Sequence, residues 1–310
     1  MASRSEDVSA SIQPVRVIRA ASLCERVGID VVLASETEQV TGSFKFRAAR
    51  NVAVNTPQQY IITASSGNYG QALAAACAMA GKRCTVVMPD TSAKIKVDGV
   101  RRYGGAVEFV DTRLKSRQAR VQELAAQNPD AYVSSAYDDP LVIEGNATLG
   151  RELAALSDQF DRVLAPIGGG GLTSGIITGL RESGCETPVF AAEPLIANDA
   201  ARSLREGRIV VNDTEPQTVA DGVRTVSVGK HNWAVLREGL AGIVEVSEEN
   251  ILEAVRVLFR CAELRVEPTG ALPVAALLEA REEFAGQRVC CVISGGNVDP
   301  DRFDGILRDG

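Results

Sequence analysis

Thr41-Gly42-Ser43-Phe44-Lys45-Phe46-Arg47 places one lysine between two phenylalanines. Aromatic neighbours strip water from an ammonium group and lower its pKa, so that the neutral amine can attack an aldehyde. Taken alone, a solvated lysine whose stem lies on apolar surface reads the same. The difference lies in its company, three Gly/Ser/Asn-rich loops downstream, each following an apolar run. Together they suit a cofactor held around one amine, the arrangement of a Schiff-base enzyme.

The first loop, Thr63-Ala64-Ser65-Ser66-Gly67-Asn68-Tyr69-Gly70-Gln71, lies between Tyr60-Ile61-Ile62 and the Ala-rich stretch Ala72 to Ala80, and reads as strand, tight turn, helix. Ser65, Ser66 and Asn68 then stand at a helix N-terminus, where free N–H groups and the dipole favour an anion such as a substrate carboxylate. The second follows Arg162 to Ile167 with Gly168-Gly169-Gly170-Gly171, then Leu172-Thr173-Ser174-Gly175. Consecutive glycines at a strand-to-helix junction let backbone amides converge on a phosphate without side-chain obstruction. The loop lacks the Gly-Lys-Ser/Thr ending of a Walker loop and the spacing of the dinucleotide fingerprint. The third follows Val289-Cys290-Cys291-Val292-Ile293 with Ser294-Gly295-Gly296-Asn297, where the serine is also an ordinary turn residue.

The elements that must position these loops alternate along the chain. Strands are expected over 30–33, 59–63, 83–88, 107–110, 162–167, 188–192 and 288–293, with helical patterns such as 114–127 and 248–264 between them. That alternation predicts an open α/β sheet architecture.

In these motifs, and in Ala191-Ala192-Glu193-Pro194, Ala220-Asp221-Gly222-Val223 and Glu267-Pro268-Thr269-Gly270, the chain resembles pyridoxal-phosphate (PLP) enzymes of the threonine dehydratase and serine racemase family over nearly its whole length. The resemblance implies the tryptophan-synthase-β-like architecture known as fold type II: two open twisted α/β sheet domains with the cofactor in the cleft. A large domain would span 1–58 and 139–310, and a small mobile domain, 59–138, would be inserted and close on the substrate. Lys45 would form the Schiff base, Phe44 pack near the cofactor ring, Asn68 bond its phenolic oxygen, and Gly168, Gly169, Gly170, Gly171 and Leu172 cradle its phosphate. Ser294 would bond the pyridine nitrogen, and Glu267 would adjoin the cofactor. Ser65, Ser66, Gly67, Asn68 and Gln71 would bind substrate, and Glu193, Ala197 and Asp199 would hold a magnesium or calcium ion through hard oxygen ligands.

A serine does not force the pyridine nitrogen to stay protonated as a carboxylate would, which favours β-elimination over transamination. The implied reaction is α,β-elimination on a small β-hydroxy L-amino acid. The freed Lys45 amine takes the Cα proton, the β-hydroxyl leaves protonated by the cofactor phosphate, and hydrolysis gives a 2-oxo acid and ammonia. Ser66 stands where serine racemases exchange a proton on the opposite face, and where dehydratases can simply bind carboxylate. Racemisation and β-replacement therefore stay open as alternatives, as does a silent homologue that keeps the fold and cofactor.

The chain departs from the family pattern at Tyr69 (commonly histidine), Ala48 (glycine), Gly145-Asn146-Ala147-Thr148 (Gly-Gln-Gly-Thr), Ser135-Ala136-Tyr137-Asp138-Asp139 (His-Pro-Phe-Asp-Asp) and Ala34 (lysine). Most of these positions are expected near the substrate pocket or the domain interface, which puts substrate identity in question more than cofactor use.

Composition sets outer bounds. A chain of 310 residues, 45% hydrophobic and 24% charged, holds one or two compact domains with real cores. Net charge of −7 without a dense basic patch argues against nucleic acid or an anionic membrane as partner. No segment reads as transmembrane, Met1 to Ala10 lacks a signal core, and seven cysteines without framework spacing fit reduced thiols in a cytoplasmic protein. The single histidine, His231, reads as a surface or loop residue and excludes chemistry needing two. The family resemblance favours a homodimer, and the end of the chain soon after Asn297 is read as leaving no room for an amino-acid-sensing domain.

Overall fold

The computed structural model describes residues 11–308. The polar segment Met1 to Ala10 lies outside them.

Ten strands form in chain order: β1 (Arg16–Ile18), β2 (Asp30–Ser35), β3 (Tyr60–Ala64), β4 (Arg83–Pro89), β5 (Ala106–Val110), β6 (Tyr132–Ser134), β7 (Arg162–Pro166), β8 (Val189–Pro194), β9 (Leu240–Val246) and β10 (Arg288–Ile293). They make a six-stranded sheet in the order β1-β2-β10-β7-β8-β9 and a four-stranded sheet in the order β5-β4-β3-β6. Every pairing is parallel except that of β1 with β2. Parallel strands must be covered on both faces by their crossover helices, which is why β2, β7 and β10 read as continuous Val/Leu/Ile/Cys runs and are buried almost throughout.

The expected runs all appear, with shifted ends, and three strands join them that no strong local pattern announces. β1 and β6 are only three residues long, and β9 carries Gly242 opposite an irregularity at Val189/Phe190. The helix expected from residue 114 spans Arg117–Gln127, because the Ser116 hydroxyl accepts from Ala119 N and starts it there. The helix expected to reach 264 stops at Ala262, where Glu263 takes a left-handed conformation, φ 55°.

Two helices lock the large sheet's loops together. The Pro140–Ala154 and Gly171–Glu182 helices cross so closely that a Cβ on Gly179 would lie 2.2 Å from Ala147 O, and one on Gly150 2.4 Å from Ile176 O. The Lys45–Asn55 helix lies against the first of these, with Gly145 facing Ala48. Because the strands are parallel, the loops after β2, β7, β8 and β10 leave one edge of the large sheet, the usual ligand edge of an open α/β sheet. Among the described residues no helix is long and apolar enough to cross a membrane.

Candidate active site

β10 and the lysine motif are zipped together. Phe44 N–H donates to Ser294 O (2.9 Å), Gly296 N–H to Gly42 O (3.0 Å), and Ser43 bridges Gly295. Glu36, leaving β2, donates its N–H to Ile293 O (2.9 Å). This places Phe44, Lys45 and Ser294 on the lining of a cavity that Gly168 to Leu172 also line.

Lys45 opens its helix, and its Nζ donates to Ala136 O at 2.8 Å. The amine lies 5.0 Å from the Phe44 ring centre and 5.7 Å from that of Tyr69. The second aromatic neighbour is therefore Tyr69 and not Phe46, which turns about 100° around the helix into the core beside the four-stranded sheet. Burial pushes the Lys45 amine down to about 8, opposed by the nearby Glu267 carboxylate. Burial also lifts Glu267 up to about 8. The two groups thus approach one another near neutrality.

The tetraglycine loop has no room for side chains. A Cβ would come within 2.8 Å of Val223 at Gly168, 2.2 Å of the Tyr137 ring at Gly169, 2.7 Å of Leu236 at Gly170 and 2.8 Å of Tyr137 O at Gly171. Gly170 also takes φ +93°. The loop carbonyls are held by protein: Asn232 Nδ2 donates to Gly169 O (2.6 Å) and Asn146 Nδ2 to Gly171 O (3.0 Å). The first-turn amides of the Gly171–Glu182 helix have no intrahelical acceptor and remain for an anion.

Across the cleft, the loop after β3 opens the Asn68–Met79 helix. Ser65 Oγ accepts from Gly70 N (3.1 Å) and Gly67 N (3.4 Å), so it organises the turn. Asn68 Nδ2 donates to Glu267 Oε1 (2.8 Å), while Asn297 Nδ2 donates to Asn68 Oδ1 (2.9 Å). Ser66 Oγ accepts from Arg117 Nη1 at 3.3 Å. Gln71 lies against Gly99, and neither it nor Ser65, Ser66, Gly67, Asn68 or Glu267 is among the residues lining the cavity.

Glu193 accepts from Ala201 N (2.6 Å) and Ala200 N (3.3 Å), and Asp199 Oδ1 from Asn212 Nδ2 (3.0 Å). Asp199 Oδ2 is buried with no partner among the described residues. Those residues contain no cluster of three or more His, Cys, Asp or Glu side chains able to hold a metal. His231 is exposed, and its ring meets Asp138, whose carboxylate caps the Lys230–Gly239 helix through His231 N (2.8 Å) and Lys230 N (3.0 Å).

The cavity suits a phosphorylated pyridine aldehyde. It offers a dehydrated amine, a glycine cradle at a helix N-terminus, and Ser294 Oγ, a buried hydroxyl on the wall with no partner among the described residues. Sequence reasoning missed Arg117, Asn232 and Thr225, the last a cavity-lining residue whose buried hydroxyl has no partner among the described residues; none carries a local motif. Tyr137 stands out in the sequence as a departure from the family pattern, and 220–223 as a motif, but neither signal assigns a role.

A family model described as pyridoxal-phosphate dependent enzyme matches residues 8–295. The chain is 36% identical over 285 residues to a beta-hydroxyaspartate dehydratase of Paracoccus denitrificans, covering 91% of this chain and 90% of that protein. It is 34% identical over 296 residues to an L-threo-3-hydroxyaspartate ammonia-lyase of Pseudomonas sp, covering 94% and 92%. The crystal structure of a T.th. threonine deaminase superimposes with TM-score 0.90 at 37% identity, over 96% of this chain and 97% of that one.

Proposed function

The chain belongs to the family of pyridoxal-phosphate-dependent enzymes, and from that premise we propose that it is an ammonia-lyase for a β-hydroxy amino acid carrying a second carboxylate, of the 3-hydroxyaspartate type. The observation that carries the dicarboxylic substrate is Arg117. Its guanidinium donates to Ser66 Oγ (3.3 Å) and pairs with the Glu215 carboxylate (3.1 Å), a partner that a substrate carboxylate would replace. A planar guanidinium there matches a carboxylate two-pronged, while the amides opening the Asn68–Met79 helix suit the Cα carboxylate. Hydroxyaspartate enzymes among the relatives support the same reading.

Pyridoxal phosphate, when bound, supplies the electron sink for the pair left at Cα. The protein does the rest. Gly168 to Gly171 and Leu172 would hold the phosphate, Ser294 Oγ the ring nitrogen, Phe44 a ring face and Asn68, itself bonded to Glu267, the phenolic oxygen. Ser65 shapes the turn that presents Ser66 and Gly67, and Gln71 supports it from the Gly99 side. Lys45 Nζ, whose pKa burial brings down to about 8, would take the Cα proton as the neutral amine. Loss of the β-hydroxyl then leads to a 2-oxo acid and ammonia.

In this reading the unit of residues 59–138 closes on the substrate carboxylates and excludes water. Glu193, Asp199 and the Ala197 carbonyl would hold a magnesium or calcium ion, supported by the unpartnered Asp199 Oδ2. The enzyme acts as a homodimer in the cytoplasm, a reading that rests on the family resemblance and the unbridged cysteines.

The test is 2-oxo acid release by the cofactor-loaded protein from L-threo-3-hydroxyaspartate, L-serine and L-threonine, with Lys45→Ala as control. Arg117→Ala is expected to cut kcat/KM for 3-hydroxyaspartate by about a hundredfold, the scale of a lost charged hydrogen bond, and to spare L-serine. Equal loss on both substrates would remove Arg117 as the distal-carboxylate contact.

A further inference from the structure

Tyr137 stands where the chain returns from the four-stranded sheet to the six-stranded one, between β6 and the Pro140–Ala154 helix. Its ring lies on the tetraglycine loop so tightly that a Cβ on Gly169 would be 2.2 Å from Cδ2. The main chain around it is pinned. Tyr137 O accepts from Asn232 Nδ2 (3.1 Å), Ala136 O from Lys45 Nζ (2.8 Å), and the Asp138 carboxylate caps the Lys230–Gly239 helix. The ring therefore has one place, on the wall of the cavity that also presents Lys45 and Ser294.

Its hydroxyl has no hydrogen-bond partner among the described residues, although the ring is partly buried. A phenylalanine would pack on Gly169 equally well, so packing leaves the phenolic oxygen without a purpose. Closing a filled cavity over an unpaired hydroxyl carries a desolvation cost.

We propose that the Tyr137 hydroxyl holds the substrate's β-oxygen and makes Tyr137 a specificity-determining residue, favouring β-hydroxylated amino acids over their deoxy counterparts. The proposal rests on the cavity's being a β-hydroxy amino acid site, but not on what lies beyond the β-carbon. One hydrogen bond of this kind corresponds to a change of about tenfold.

The experiment compares wild type with Tyr137→Phe, both cofactor-loaded, on two ligand pairs that differ by the β-hydroxyl: L-serine against L-alanine, and L-threo-3-hydroxyaspartate against L-aspartate. Expected in the variant is a kcat/KM about tenfold lower for the hydroxylated member, with an unchanged inhibition constant for the deoxy member. Cofactor affinity, followed by visible absorbance, is expected to stay the same because the ring remains on Gly169. Three results would overturn the proposal: no change for either member, an equal loss for both, or a weakened cofactor, which would assign the hydroxyl to the phosphate. If wild type turns over L-serine alone, the dicarboxylic reading fails while the serine and alanine pair still decides the role of Tyr137. Where neither substrate is turned over, the same pairs are compared by the absorbance change on binding.

Discussion

Lys45 can act as nucleophile or base only when its amine is neutral, and burial brings its pKa from 10.5 to about 8. Capture of pyridoxal phosphate by the apoprotein should therefore slow as pH falls below about 8 and level off above it. The Glu267 carboxylate opposes the downward shift, so Glu267→Gln should move the midpoint to lower pH. Stopped-flow absorbance checks both, and a midpoint near the ordinary lysine value of 10.5 would contradict them. Ser294 offers a complementary measurement. Its buried hydroxyl has no partner among the described residues, so Ser294→Ala should leave the apoprotein's melting temperature unchanged or raised. Cofactor affinity should meanwhile fall by about tenfold, the scale of one hydrogen bond. A hydroxyl that mattered only to folding would show the opposite pattern.

Among the elements, the glycines of the paired helices separate two roles of one residue type. Gly179 faces Ala147 O at 2.2 Å from where a Cβ would sit, whereas a Cβ on Gly305, in the Pro300–Arg308 helix, would meet nothing within 4 Å. Gly179→Ala should destabilise by about 1–3 kcal/mol through overpacking, and Gly305→Ala should stabilise by about 0.5–1 kcal/mol by restricting the unfolded chain. Urea unfolding of the two variants reads the difference directly. The crossing matters to the site because Asn146, on the first helix, holds the Gly171 carbonyl at the start of the second. A spread between these helices would thus move the tetraglycine loop proposed to hold the phosphate.

Across the whole molecule, the buried Arg47 links parts that are distant in the chain. It donates to Glu36 through Nε (2.7 Å) and Nη2 (2.8 Å), to Glu152 (2.7 and 2.9 Å) and to Thr148 (3.1 Å). These contacts join the lysine helix, the end of β2 and the Pro140–Ala154 helix two residues from Lys45. Arg47→Met should cost about 3–5 kcal/mol, because it leaves the fully buried Glu36 without its partner. Lys94→Ala, which breaks the exposed pair with Asp98 (88% and 50% exposed), should cost under about 1 kcal/mol. Urea midpoints for both variants test the contrast.

The buried lysine, the tetraglycine loop, the serine at the end of β10 and the alternation of strands and helices are all legible in the order of residues. Each is a local signal: a residue type, a run of glycines, or an apolar stretch whose length matches a buried parallel strand. The short edge strands β1 and β6 and the irregular β9 lie beyond such signals, because pairing partners more than their own few residues make them strands. Packing of the folded chain was needed to show that Tyr69 and not Phe46 faces Lys45, that Asn232 and Asn146 hold the cradle's carbonyls, and that Arg117 reaches Ser66. Those contacts join residues far apart in the chain. Their existence depends on how parallel crossovers bring strand ends to one edge, a property of the packed sheet and not of any short stretch of residues.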